Sequence, residues 1–135
     1  MPTPTRVSEF IQAVVNGDHA EAIARFYTED ASMQENTMPP RKGRKALIVH
    51  ERKALSRLRA MHTRPPGAIL IDGDRVAIHW TFDATGKDGV TRRLTEVAMQ
   101  AWRDDRIESE QFFYDASTAW QVVAPENLGG EDVRA

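Results

Sequence analysis

The sequence contains no cysteine. That excludes a disulfide framework, thiolate catalysis and cysteine-ligated zinc. No apolar run approaches the roughly 20 residues needed to span a bilayer. The N-terminus, Met1-Pro2-Thr3-Pro4-Thr5, lacks the basic-then-apolar pattern of a secretory leader. These features read as a cytoplasmic protein with no membrane partner. The net charge is only −2, which gives no global pull toward nucleic acid. There is no His-Glu-x-x-His, calcium-loop, phosphate-cradling glycine loop or nucleophile elbow. Neither a metal nor a cofactor is expected.

What is present fits one domain. The chain has 135 residues, 41% hydrophobic and 28% charged, close to globular averages. A chain of this size buries about two-thirds of its unfolded surface. We read a single domain over 1–135, with a core of about 6–123 and a flexible tail over 124–135. Charge is uneven locally: Arg41, Lys42, Arg44, Lys45, Arg52, Lys53, Arg57 and Arg59 are opposed only by Glu51. Aromatic residues do not interleave with them as they do in single-strand nucleic-acid binders, so the cluster reads as a solvated face.

Val7, Phe10, Ile11, Val14 and Val15 recur at helical spacing. Asn16-Gly17 stops that helix, with glycine expected in a left-handed cap. Asp18 with Glu21 suggests a capped second helix, whose apolar stripe is Ala20, Ile23, Ala24 and Tyr27. A strand over 31–37 ends before Pro39-Pro40. A third helix is expected from about Arg44 to Ala60, with Leu47, Ala54, Leu58 and Met61 inward and Glu51 or His50 filling one turn. The remainder reads as antiparallel strands over 68–71, 75–84, 90–102 and 106–115, with a short strand or coil at 120–123. Turns such as Asp72-Gly73-Asp74 and Gly86-Lys87-Asp88-Gly89 separate them. The fold class is α+β: a cone-shaped, curved antiparallel sheet covered by three N-terminal helices. Its concavity is a plausible small-molecule site.

Four stretches carry a family resemblance. They are Asn16-Gly17-Asp18-His19-Ala20-Glu21-Ala22-Ile23, Phe26-Tyr27-Thr28-Glu29-Asp30-Ala31-Ser32-Met33, Pro40-Arg41-Lys42-Gly43-Arg44-Lys45-Ala46-Leu47, and Trp102-Arg103-Asp104-Asp105-Arg106-Ile107 leading to Phe112-Phe113-Tyr114-Asp115. In order and spacing, over about 7–117, the chain resembles the nuclear transport factor 2-like superfamily. More narrowly it resembles the SnoaL-like polyketide cyclase and ketosteroid-isomerase-like branch. The fold hosts isomerases, cyclases, dehydratases, hydrolases and non-catalytic binders.

The resemblance places Glu35 where the isomerases keep a carboxylate base, on the first strand and pointing into the cone. Burial raises such a carboxyl toward a useful pKa; the alternative is a strand-end carboxylate paired with Arg41 or Arg44. The oxyanion donors of the isomerases fall here at Phe10 and Ala98, neither of which can donate a side-chain hydrogen bond. The arginine used by epoxide-hydrolase relatives is missing from Thr81-Phe82-Asp83, and their acid on the last long strand counts to Phe112. If Ala98 faces inward, alternation turns Glu96 and Gln100 inward, and Glu110, Phe112 and Tyr114 on the next strand. On 75–84 the parity is open: either His79 and Thr81 or Trp80 and Phe82 face the cavity. Met33 joins the ligand-facing set.

Histidine titrates nearest neutral pH, so His79 is a candidate proton-transfer group, against a histidine merely hydrogen-bonded in the sheet. Tyr114 is a candidate hydroxyl donor, against an aromatic ring that only packs. The resulting expectation is a cofactor-free pocket protein acting by isomerisation, cyclisation or dehydration on a small apolar carbonyl compound. Glu35 would move the proton, and Tyr114 or His79 would orient an oxygen. The alternative is a non-catalytic ligand-binding or dimerisation module of the same fold. The resemblance also implies a homodimer through the outer face of the sheet, with exposed apolar residues at Val97, Met99 and Phe113 as its expected signature.

Overall fold

A computed structural model describes residues 1–128. Helix α1 covers Pro4–Asn16. Thr3 caps it, its hydroxyl oxygen accepting from the Arg6 N–H at 3.0 Å, and Pro4 starts it where a missing N–H is harmless. Val7, Phe10, Ile11 and Val14 form its buried stripe. Gly17 follows, but not in the expected left-handed conformation: its φ is −132°. Glycine is needed there for space, since a Cβ would lie 2.7 Å from the Ala13 carbonyl oxygen. Asp18 then caps helix α2, His19–Phe26, accepting from the N–H groups of Ala20 at 2.7 Å and Glu21 at 3.1 Å.

The chain leaves α2 directly into strand β1, Tyr27–Glu35, so Tyr27 belongs to the sheet and not to the helical stripe. A two-residue strand β2, Arg41–Lys42, pairs antiparallel with β1. Helix α3 spans Arg44–Ser56. It is shorter than its apolar spacing suggested: Leu58 and Met61 lie in strand β3, Leu58–Thr63. Leu47 is the one fully buried side chain that anchors α3. Strands β4 (Ala68–Asp72), β5 (Arg75–Gly86), β6 (Thr91–Arg103), β7 (Arg106–Phe113) and β8 (Gln121–Val122) follow. The expected tail holds a 3-10 turn at Pro125–Asn127; its end, 129–135, lies outside the described residues.

The sheet order is β2-β1-β7-β6-β5-β3, with β4 also on β5 and β8 on β6. The sheet is mixed rather than wholly antiparallel, because β1 and β7 run parallel. Register shifts between Ala101 and Trp102 and between Leu58 and Ala60 bend it. The three helices close over the concave face, and Phe10 sits at the centre of that contact. Its ring meets Phe26, Tyr27 and Trp102 edge-on at 5.5, 6.1 and 6.2 Å between centroids. Among the described residues no helix is long and apolar enough to cross a membrane.

If α3 is held by one anchor, Leu47→Ala should lose about 2–5 kcal/mol of folding stability. Val49→Ala, at an exposed position of the same helix, should change it by less than about 0.5 kcal/mol. Urea unfolding of the two variants measures the contrast; equal losses would mean that α3 is held some other way.

Candidate active site

The cavity between helices and sheet measures about 170 Å³. That slightly exceeds the roughly 150 Å³ apolar cavity known to accept benzene. Phe10, Val14 and Ile23 come from the helices, and Trp80, Phe82, Leu94 and Phe112 from the sheet. Trp80 and Phe82 stack at 5.6 Å between centroids. Into this apolar wall project four carboxyls: Glu35 from β1, Glu51 from α3, Glu96 from β6 and Glu110 from β7.

Glu35 ends β1, opposite Phe112. The next residue, Asn36, adopts φ 48°, a left-handed conformation that asparagine tolerates. Asn36 ties the end of β1 to β7: its N–H donates to the Phe112 carbonyl at 2.7 Å, and its Oδ1 accepts from the Tyr114 N–H at 3.0 Å. This brings the Tyr114 hydroxyl to Glu35 Oε1, to which it donates at 3.3 Å. Desolvation raises the Glu35 carboxyl above its ordinary pKa, offset in part by that hydroxyl and by Arg41.

Glu110 is more deeply set. It accepts from the Tyr27 hydroxyl through a short hydrogen bond and from Gln100 Nε2 at 2.7 Å. Gln100 is itself oriented by Trp102, whose indole N–H donates to Gln100 Oε1 at 2.9 Å. Indole can only donate, so the Gln100 amide must turn its NH₂ toward Glu110. Burial nevertheless lifts Glu110 to about 7, the two donors holding it down against neighbouring Glu35 and Glu51. Glu96 is 6% exposed and no hydrogen bond or ion pair joins it to any described residue. Burial first, then repulsion from Glu110, Glu35 and Glu51, pushes it to about 9. At neutral pH it is an uncharged acid with an O–H to donate.

Placement of the sequence candidates is therefore uneven. Glu35, Phe10, Met33, Trp80, Glu96, Glu110 and Phe112 line the cavity, and Tyr114 stands at its rim against Glu35. Gln100 lies one layer behind, and Ala98 is core. His79 is a correction. Strand β5 turns Val76, Ile78 and Trp80 inward, so His79 lies exposed on the outer face, where its ring packs beside Gly67. The residues missed were Tyr27, assigned to a helix, and Glu51, whose signal was its place one turn after Leu47 on the inner stripe of α3. His19 was also missed: it reaches the cavity, meets Thr63 Oγ1 at 2.8 Å and is held below its ordinary pKa chiefly by burial. Among the described residues no three His, Asp or Glu side chains are placed to hold a metal ion.

Comparison with known proteins agrees with this architecture. A model of the SnoaL-like domain matches residues 7–110. A candidate SnoaL-like polyketide cyclase from Mesorhizobium loti superposes with a TM-score of 0.68 at 22% identity, over 84% of this chain and 100% of that one. A protein of ketosteroid-isomerase-like fold from Catenulispora acidiphila, in complex with trimethylamine, gives 0.71 at 18%, over 87% and 90%. An LEH-like epoxide hydrolase from M. tuberculosis gives 0.70 at 15%, over 84% and 79%. Curated proteins yield no match. At these identities the structures speak for the fold alone, but the domain match spans most of the chain: the protein belongs to the SnoaL-like domain family of the nuclear transport factor 2-like superfamily.

Proposed function

We propose that this protein catalyses cofactor-free proton transfer on a small, mostly apolar carbonyl compound, in the cytoplasm. The observation that carries this reading is the placement of unlike carboxyls in one apolar cavity: Glu35, hydrogen-bonded by Tyr114 at the rim, and Glu96, buried without a donor. Carboxyls whose environments push their pKa values apart divide naturally into base and acid. Glu35 takes the proton next to the carbonyl. The C–H electron pair moves into a carbon–carbon double bond and the carbonyl pair onto oxygen, where the Glu96 O–H stabilises the developing charge. Returning the proton at another carbon gives isomerisation; expelling a leaving group gives dehydration.

Glu96 stands two residues before Ala98 on the same face of β6, so it supplies a donor close to the one whose absence at Ala98 argued against this chemistry. Tyr114 orients Glu35. The cavity volume limits the substrate to about one ring. Epoxide hydrolysis has less support, because Asp83 is bound by Arg93 at 2.7 Å and Arg64 at 3.1 Å and does not line the cavity.

We also propose a homodimer through the outer face of the sheet. Val97, Met99 and Phe113 are 38, 41 and 45% exposed, and Val97 pairs directly with Phe113. Leu70 of β4 lies in the same row as Ala77 and Met99. The result is a contiguous apolar patch of the kind that marks an interface.

Glu35→Gln should abolish turnover in a screen of small enolisable ketones while circular dichroism and Tm stay unchanged. Undiminished turnover removes Glu35 from the base role, and ligand binding without turnover in the unaltered protein favours a binding module. Glu96 offers a test by stability. It stays protonated in the folded protein to about 9, against 4.5 for an ordinary glutamate. Between those values the unfolded chain binds fewer protons, so stability falls as pH rises. Glu96→Gln removes that slope: the variant should be more stable than the parent at pH 8 by about 4–5 kcal/mol, with the advantage vanishing near pH 4. Parallel stability–pH curves contradict a neutral Glu96. For the dimer, sedimentation should give twice the monomer mass, and Phe113→Glu should return the monomer; a monomeric parent at high concentration rules the interface out.

A further inference from the structure

The same cavity has a second chemical character. Its carboxyls, Glu35, Glu51, Glu96 and Glu110, face a wall of aromatic rings that includes Trp80, Phe82 and Trp120. Ring faces carry negative electrostatic potential and attract cations, tryptophan most strongly. Glu96 is nine-tenths buried, points into the space and engages no described side chain. A polar group left so at a cavity wall is completed by whatever enters. Spacing identifies the occupant further. The carboxyls are spread too widely, among the described residues, for three to close on one metal ion. An alkylammonium ion is larger, carries its charge over methyl groups, and touches carboxylate and ring together.

From this arrangement we propose that the cavity binds small organic monocations of the alkylammonium class, cradled between Glu96, Glu51 and the Trp80–Phe82 stack. This goes beyond the proton-transfer reading and does not require it. The two readings use Glu96 in opposite states: a carbonyl oxygen needs its proton, whereas a cation displaces it. The titratable and charged groups that share the cavity with Glu96 are Glu110 of β7, Glu35 and Tyr27 of β1, Glu51 and His50 of α3, His19 of α2 and Arg41 of β2, with Tyr114 beyond β7 at the rim against Glu35. Arg41 is the permanent cation among them, and it acts on Glu35 and Glu51 at the mouth. Cation binding should therefore release protons from Glu96 and Glu110 and tighten as pH rises, while binding of a neutral ketone weakens over the same range.

Tetramethylammonium chloride is a suitable probe because its charge does not titrate; tert-butanol is a neutral compound of similar shape. Isothermal titration calorimetry at fixed ionic strength should show saturable tetramethylammonium binding, at least about tenfold tighter than tert-butanol. Affinity should rise between pH 6 and 9, and runs in two buffers of different ionisation enthalpy should show proton release. Glu51→Gln, at a half-buried position, and Trp80→Leu should each weaken it several-fold. Equal affinity for the two probes, or no saturable binding, overturns the proposal. Neither result bears on ketone turnover, and loss of turnover in Glu35→Gln says nothing about cation affinity in the unaltered protein, so the two readings fail separately.

Discussion

Parallel strands cannot be joined by a tight turn, so pairing β1 with β7 takes the chain through β2, α3 and strands β3 to β6 before the sheet closes. The site depends on that closure. Strand β1 carries Tyr27 at one end and Glu35 at the other, and β7 carries Glu110 and Phe112. Their pairing sets Met33 opposite Glu110 and Glu35 opposite Phe112. It also lets the Tyr27 hydroxyl reach Glu110. Asn36 fastens the far end, binding both the Phe112 carbonyl and the Tyr114 amide. Without this pairing, Glu35 would be an ordinary strand-end carboxylate beside a basic loop.

Closure explains why the carboxyls behave differently despite lying in one cavity. Desolvation disfavours the charged form of each, and hydrogen bonds to the carboxylate oppose it. Glu35 has a tyrosine donor, Arg41 nearby and a partly open rim. Glu110 is fully enclosed but receives two donors, from Tyr27 and Gln100. Glu96 is enclosed with none. Glu96 stands above Glu110 because both are enclosed and only Glu110 recruits donors. Trp102 takes part without touching the cavity, because its indole fixes the orientation of the Gln100 amide.

Much of the architecture was legible in the sequence. The stripe Val7, Phe10, Ile11, Val14 and the cap at Asp18 mark two helices, and the glycine turns mark the hairpins β4–β5 and β5–β6. Alternation from Ala98 correctly groups Glu96 with Gln100. Other features were hidden for physical reasons. Leu58 and Met61 continue a helical spacing by coincidence, since a strand following a helix end can keep apolar residues in phase. The parallel pairing of β1 with β7 is a contact across most of the chain and leaves no local signal. Tyr27 sits one residue past a helix end, where apolar periodicity cannot separate helix from strand. For β5, Ile78 and Trp80 compete with Ala77, His79 and Thr81, and only packing into the core shared with the helices decides that the larger apolar residues go inward and His79 outward.

The inner face of β6 shows where such reading succeeds through contradiction. Alternation there predicts core at Leu94, 96, Ala98, 100 and Trp102, yet two of the five positions hold Glu and Gln. An apolar residue at position 96 would be expected to stabilise the fold, since a buried carboxyl without a partner opposes folding at every pH above its unfolded pKa. Gln100 has a structural use, as the link between Trp102 and Glu110. Glu96 has none among the described residues. A side chain that weakens its own fold and supports no neighbour is best explained by the molecule that enters the cavity, and this departure from pattern is where the sequence itself points to function.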